Sequence, residues 1–291
     1  MIIGIDLGGT KIAGVLATPS GKILMDVQIP TEANQGKKRV IENIHKVIDT
    51  LIKSHKVKIK AIGIGAPGPI LYEKGIVVEA PNLPGWEKVH LKDILEKEYK
   101  VPVFVDNDAN CAALAEAWFG AGKFVKHFLY MTVSTGIGGG IIIDKKLYRG
   151  AIGAAGEFGH MIIDSKKTYI CACGNYGCLE SLASGTAIKK MTGMDAIAAH
   201  LAAHQGDKKA KKALEEVAHY LAIGVANLVN IFNPEMIVIG GGLSNMWQHI
   251  GLPVKKEFKK YALTLPAKSV KIVRAKLKGD AGVLGAAALC L

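Results

Sequence analysis

The chain has 291 residues, 49% of them hydrophobic and 21% charged, with 34 Gly, 10 Pro and 5 Cys. That balance excludes a disordered, collagen-like or disulfide-scaffold protein, and at roughly 100–200 residues per domain the length predicts two domains or lobes. The formal net charge of +12 raises nucleic acid as a partner, since clustered basic residues release counterions from a phosphate backbone. Arg, whose planar fork recognises phosphate and guanine, occurs only as Arg39, Arg149 and Arg274, the other basic residues being Lys. The surplus reads as solvated surface, and no nucleic-acid partner is expected.

The opening Met-Ile-Ile-Gly-Ile-Asp lacks the basic region of a secretory signal. The most apolar stretch, 220–243, is interrupted by Asn227, Asn230, Asn233, Pro234 and Glu235, so no spanning helix and no membrane partner are expected. Three of the cysteines are crowded together as Cys171, Cys173 and Cys178, which fits a metal site in a reduced compartment better than a disulfide framework. A cytoplasmic location follows.

In chain order, β-rich runs at 1–5, 11–18 and 22–29 alternate with Gly turns and predict an antiparallel meander. Val40, Ile41, Ile44, Val47, Ile48, Leu51 and Ile52 keep helical spacing. A strand at 60–65, a Pro-rich loop over 67–86, a helix at 91–99, a strand at 101–105 and a helix opening near Ala109 follow. The second half repeats the theme, with a strand from His127 to Val133, a Gly-rich turn and a strand to Ile143. A helix at 207–232, a strand at 235–240, a helix around 253–261, a strand at 270–275 and a closing helix from Ala281 complete it. The expected organisation is two α/β lobes with a cleft between them: 1–118, completed by the C-terminal helix 281–291, and 119–280.

Gly8-Gly9-Thr10-Lys11 and Thr135-Gly136 occupy equivalent places in the two halves. Glycine lets successive backbone N–H groups approach an anion, and Lys11 can reach a phosphate. A tight hairpin also demands Gly, but recurrence in both halves favours phosphate. A formal G-x-G-x-x-G at Gly63, Gly65 and Gly68 nominates a dinucleotide site. Pro67 and Pro69 flank its last glycine and no helix opens there, so hydride chemistry is not expected.

Asp106-Asn107-Asp108-Ala109-Asn110 lies where a strand ends and a helix begins. One of these residues caps the helix, or Asp108 accepts a proton from a substrate hydroxyl attacking a phosphoryl group, with Asn107 orienting the substrate. Cys171, Cys173 and Cys178, with His160 upstream, form a four-ligand zinc set, closed and therefore structural. Glu157 and Glu180 bracket that set, either as surface charge or as acceptors for the hydroxyls of a polyol. Cys111 and Cys290 read as buried thiols.

Asp6-Leu-Gly-Gly-Thr-Lys11, Asn82-Leu-Pro-Gly-Trp86, Asn107-Asp108-Ala-Asn110, Ser134-Thr-Gly-Ile-Gly-Gly139, Gly156-Glu-Phe-Gly-His160, the run from Cys171 to Glu180 and Ile239-Gly-Gly-Gly-Leu-Ser244 span nearly the whole chain. Together they resemble the ROK family of sugar kinases, within the actin-like ATPase superfamily, and most closely its ATP-dependent glucokinase branch. The resemblance implies a two-lobed, ribonuclease H-like α/β fold with a duplicated βββαβαβα core and an interlobe cleft. It implies transfer of a phosphoryl group from ATP to the 6-hydroxyl of a hexose, D-glucose first, with N-acetylmannosamine, N-acetylglucosamine, mannose and fructose as alternatives. Asp108 is then the catalytic base, and Asn82, Asn107, Asp108, Glu157, His160 and Glu180 bind sugar hydroxyls. Gly8, Gly9, Thr10, Lys11, Thr135 and Gly136 hold phosphates, Gly241 and Gly242 lie near adenosine, and Asp6 holds Mg²⁺. His160 ligates zinc through one nitrogen and faces the sugar with the other. A homodimer or homotetramer is implied as well. Some family members are sugar-responsive repressors with a helix-turn-helix module ahead of the kinase-like part; here the first strand begins at Ile2, and the retained Asp108 favours a working kinase. Polyphosphate-using relatives generally lack the three-cysteine cluster, so ATP is the expected donor.

Overall fold

The structure, a computed structural model, describes residues 1–55, 58–166 and 169–291. The chain divides between two compact units: Met1–Lys123, Leu147–Ala155 and Gly279–Leu291 form unit one, and Phe124–Lys146 and Gly156–Lys278 form unit two. None of the described helices is long and apolar enough to cross a membrane.

Unit one runs β1 (Ile2–Leu7), β2 (Lys11–Ala17), β3 (Ile23–Pro30), α1 (Lys37–His55), β4 (Ala61–Ala66), β5 (Ile70–Leu71), β6 (Ile76–Glu79), β7 (Glu87–His90), α2 (Leu91–Tyr99), β8 (Val103–Asn107) and α3 (Asp108–Trp118). Antiparallel β1–β2 and β2–β3 pairs and parallel β1–β4 and β4–β8 pairs give the sheet order β3-β2-β1-β4-β8. Every residue of β4 is buried, as expected of a parallel strand covered on both faces. The apolar stripe of α1, with Val40, Ile44, Val47, Ile48 and Leu51 at 1% exposure or less, packs into this core.

A closing helix, Ala281–Ala288, lies against β1 and β4. Its backbone approaches so closely that a Cβ at Gly63 would collide with the Ala286 carbonyl, while a Cβ at Gly65 would stand 3.1 Å from Cys111 Sγ. Gly68, at φ +85°, is pressed against the Glu79 carbonyl. The glycines of the G-x-G-x-x-G pattern therefore serve packing between strand, helix and loop. Gly63→Ala is expected to displace the closing helix and to destabilise the protein by about 1–3 kcal/mol, the usual cost of overpacking, measured as a lower urea midpoint.

The Pro-rich loop expected over 67–86 is more structured than its sequence suggests. With the following strand it forms a small antiparallel sheet of order β5-β6-β7, roofed by buried Val77, Leu83, Trp86 and Val89. Strands of two and four residues are too short to display alternation in the sequence.

Unit two runs β9 (Phe128–Val133), β10 (Ile137–Ile143), the first residue of β11 (Lys146–Tyr148), α4 (Leu179–Ala183), α5 (Gly185–Thr192), α6 (Ala196–His204), α7 (Lys208–Phe232), β12 (Met236–Gly240), α8 (Gly251–Glu257), α9 (Thr264–Ser269) and β13 (Lys271–Arg274), so that the closing helix of unit one is α10. Its sheet, β11-β10-β9-β12-β13, repeats the order of the first, with antiparallel β9–β10 and parallel β9–β12 and β12–β13 pairs. The core is therefore duplicated. α7 starts where Asp207 accepts from Ala210 N at 2.7 Å and stops at left-handed Asn233 (φ 44°), just before Pro234. The helix expected around 253–261 ends earlier, at Glu257, and continues as a single 3₁₀ turn. Helices α5 and α6 lie in a stretch from which the sequence reading drew no element, although Ser184 and Asp195 cap them through Ala187 N and Ala198 N.

Candidate active site and metal centre

The register of unit one aligns Asp6, Gly65 and Asp106 across three parallel strands. The glycine turn after β1 and the acidic tip after β8 therefore share the carboxyl edge of the sheet, where ligands of open α/β sheets bind. At the tip, Asn107 is the helix cap: its Oδ1 accepts from Ala109 N at 2.9 Å and its Nδ2 donates to Gly68 O at 3.0 Å. Asp108 is exposed in the first turn of α3, its Oδ1 accepting from Ala109 N at 2.7 Å. Asp106 is the buried member, 1% exposed. It accepts from Asn107 N and Asn110 Nδ2, each at 2.8 Å, and from Arg149 Nε at 2.8 Å. The Arg149 guanidinium in turn stacks 3.6 Å above the Tyr72 ring centre. Asp108 thus projects from a tip anchored on both sides.

In the β1–β2 turn, Gly8 N donates to Lys11 O at 3.0 Å and Thr31 Oγ1 donates to Gly8 O at 2.6 Å. Gly9 abuts the loop that carries Asn82, where an added Cβ would lie 2.9 Å from the Asn82 carbonyl oxygen. Lys11, next to Thr10, donates through Nζ to Gln28 Oε1 at 3.1 Å. Burial pushes the Asp6 carboxyl above its ordinary range, and the charge of Lys11 partly opposes this.

In unit two, Ser134 N donates to Gly136 O at 2.8 Å, and Thr186 Oγ1 donates to Thr135 O at 2.8 Å. A side chain at Gly136 would strike Glu180 Oε2, which accepts from Ile137 N at 2.8 Å. Glu180 Oε1 lies 3.9 Å from Cys171 Sγ, so this carboxylate links the glycine turn to the cysteine cluster. Gly241, at φ +78°, presses on the Val133 carbonyl. Gly242 lines a pocket of about 540 Å³ together with Thr135, Lys189, Ile197, Leu243 and Met246. That size and those apolar walls suit a nucleoside.

The four metal-ligand candidates come together. One donor atom from each of His160, Cys171, Cys173 and Cys178 lies within 4.8 Å of all the others. His160 Nδ1 is 3.6 Å from Cys171 Sγ, and Cys173 Sγ is 3.7 Å from Cys178 Sγ. Tetrahedral zinc, with bonds of about 2.3 Å to sulfur and 2.0–2.1 Å to nitrogen, sets edges of about 3.6 and 3.8 Å between its ligands. The residues fit that ion. Burial pushes the Cys178 thiol up to about 12, while the Asn175 backbone amide draws Cys173 down to about 7; a bound cation would hold every thiol as thiolate. His160 Nε2 lies 3.9 Å from Glu157 Oε2, so the two ring nitrogens face different partners.

The predicted residues thus fall into two sets: Asp6, Gly8, Gly9, Thr10, Lys11, Asn82, Asn107 and Asp108 in unit one, and Thr135, Gly136, Glu157, His160, Glu180, Gly241, Gly242 and the three cysteines in unit two. Sequence reasoning missed Arg149, although it is one of only three arginines.

The ROK family profile matches residues 2–291. A glucokinase of Halalkalibacterium halodurans is 38% identical over 307 aligned positions, covering 97% of this chain and 92% of that protein. The xylose repressor of Caldicellulosiruptor bescii is 37% identical, covering 100% of this chain and 78% of the repressor. The crystal structure of a ROK family glucokinase from Streptomyces griseus in complex with glucose and AMPPNP matches with a TM-score of 0.84 and 33% identity, over 99% of this chain and 98% of that one. The fold is that of the actin-like ATPases, and with a match running from the first strand to the last residue, this chain belongs to the ROK family.

Proposed function

We propose that the protein is an ATP-dependent hexose kinase that phosphorylates the 6-hydroxyl of D-glucose. The observation that carries the reading is the arrangement at the strand end, where Asn107 caps α3, Asp106 anchors Asn110 and Arg149, and Asp108 stands exposed in the first helical turn with its Oδ1 accepting from Ala109 N. Phosphoryl transfer has a loose transition state, so the base is needed for position more than for strength. Asp108 accepts the proton of the attacking hydroxyl. Asn107 Nδ2 has a second hydrogen for the sugar, and Asn82, Glu157, His160 Nε2 and Glu180 take the remaining hydroxyls. Gly8, Gly9, Thr10 and Lys11, with Thr135 and Gly136, hold the phosphates, and the pocket beyond Gly241 and Gly242 receives adenosine. Asp6, a carboxylate raised by burial, would hold Mg²⁺, which supplies charge neutralisation to the phosphates. Zinc on the cysteine set would fix the His160 ring and so the sugar side of the site.

An ADP-release assay over glucose, mannose, fructose, N-acetylmannosamine and N-acetylglucosamine tests the reading. Glucose is expected to give the highest kcat/KM; no hexose-dependent release would overturn it. Removing zinc with a chelator is expected to raise the sugar KM about 10–100-fold, the usual effect of losing a supporting partner, while the ATP KM stays within a few-fold. Separate KM measurements on apo and reloaded protein check this.

The identity to the xylose repressor favours a second reading, a sugar-responsive regulator. Binding to duplex DNA with a steep salt dependence, alongside absent turnover, would support it.

A further inference from the structure

Two groups of side chains among the described residues have the spacing of a metal site: the cysteine set, and His200, His204 and His249. The second group was given no role above, although His200 lines the 540 Å³ pocket. His200 and His204 stand four residues apart on α6 and so share a face. His249 comes from the turn ahead of α8, fixed by its N–H donating to Met246 O at 2.9 Å. The three ring centres are 4.6, 4.7 and 5.1 Å apart, and each pair of rings meets at 81–85°. One nitrogen from each lies within 4.8 Å of the other two.

The distances suit a cation. His204 Nε2 and His249 Nε2 are 3.4 Å apart. Ligand bonds of 2.0–2.1 Å to imidazole nitrogen place tetrahedral neighbours about 3.3–3.4 Å apart. Without a cation, the two Nε2 atoms can share one proton, but the third ring gains nothing from that bond. His200 Nδ1 is buried without a hydrogen-bond partner among the described residues, so one ring of the group carries a polar atom that the protein leaves unsatisfied. A cation accepts a lone pair from all three rings at once and settles which nitrogen of each bears its proton.

We propose that His200, His204 and His249 form a second metal site, distinct from the cysteine set, that takes a borderline divalent cation such as Zn²⁺, Ni²⁺ or Co²⁺. Three neutral imidazoles select these ions over Mg²⁺, which demands oxygen ligands. The exposed His204 leaves the fourth position open to water. The ion joins α6 to the segment after β12, and both supply walls of the 540 Å³ pocket. It would act there as a staple between two elements that the sequence keeps far apart.

The test needs no nucleotide or sugar, so its outcome is independent of the kinase reading. Zn²⁺ and, separately, Ni²⁺ are titrated into the purified full-length chain, with Mg²⁺ present in excess, and bound metal is counted by elemental analysis. His204→Gln, an exposed position, and His249→Asn are compared with the wild type. The wild type is expected to bind one equivalent more than either variant, and each variant to bind that equivalent at least roughly 10–100-fold more weakly. Saturating metal should raise the Tm of the wild type by about 5 °C or more and leave that of the variants behind. Equal metal content in wild type and variants, or displacement of the extra equivalent by Mg²⁺, would overturn the proposal.

Discussion

Asp108→Asn is expected to lower kcat by about 10²–10⁴-fold, the range for loss of a general base, while the protein stays folded. The fold should survive because the cap of α3 is Asn107 and the buried anchor is Asp106, neither of which is touched. An Asn amide oxygen at 108 can still accept from Ala109 N, the bond that Asp108 makes at 2.7 Å. Loss of a negative charge in the first helical turn costs about 0.3–1 kcal/mol, too little to unfold the protein. The sugar KM should change far less than kcat, because the proton is taken in the transition state and not on binding. Steady-state rates at saturating glucose and ATP, with the Tm as control, check this. Turnover within a few-fold of wild type would remove Asp108 from the chemistry.

The largest expected effect on stability belongs to Arg149→Met. Asp106 is 1% exposed and its Oδ2 is held by Arg149 Nε at 2.8 Å, so truncating the arginine strands a buried carboxylate. Breaking such a pair costs about 3–5 kcal/mol; because the Arg149 side chain is 24% exposed, the loss should fall near the lower end. At about 2–4 °C per kcal/mol that is a fall in Tm of roughly 6–12 °C. Adding Asp106→Asn should recover part of it, since the stranded charge is gone while the stacking on Tyr72 stays lost, a contact worth about 0.5–2 kcal/mol. Urea denaturation of the two single variants and the double variant measures the coupling. If Arg149→Met alone unfolds at the wild-type midpoint, the pair is ornamental.

Both experiments turn on a segment that was only partly legible. The Asp106 to Asn110 run was recognisable as a strand-to-helix junction because β8 and α3 have clear patterns, but which residue caps and which anchors depends on Arg149, 43 positions away in sequence. The glycine hairpins and the cysteine cluster were readable because their residues are close in sequence or unusual in type. The small sheet of β5, β6 and β7 was not, because its strands are shorter than any repeat. The histidine cluster escaped for a related reason: His204 and His249 are 45 residues apart, and nothing in either neighbourhood refers to the other. Gly63, Gly65 and Gly68 mimicked a nucleotide motif because close packing and phosphate approach make the same demand, the absence of a Cβ.

The division of the chain also bears on how the protein is made. The backbone passes from one unit to the other after Lys123, Lys146, Ala155 and Lys278, so neither unit is a continuous piece of polypeptide. The floor of the first sheet, where Gly4 and Gly63 meet α10, is closed by a helix that is made only after the whole of unit two. Domains usually fold as units, the N-terminal one first during synthesis; here the N-terminal unit stays incomplete until unit two has been made. The β1 and β4 surface that α10 covers lies open through that interval, so the partly made chain exposes apolar surface that the folded protein buries.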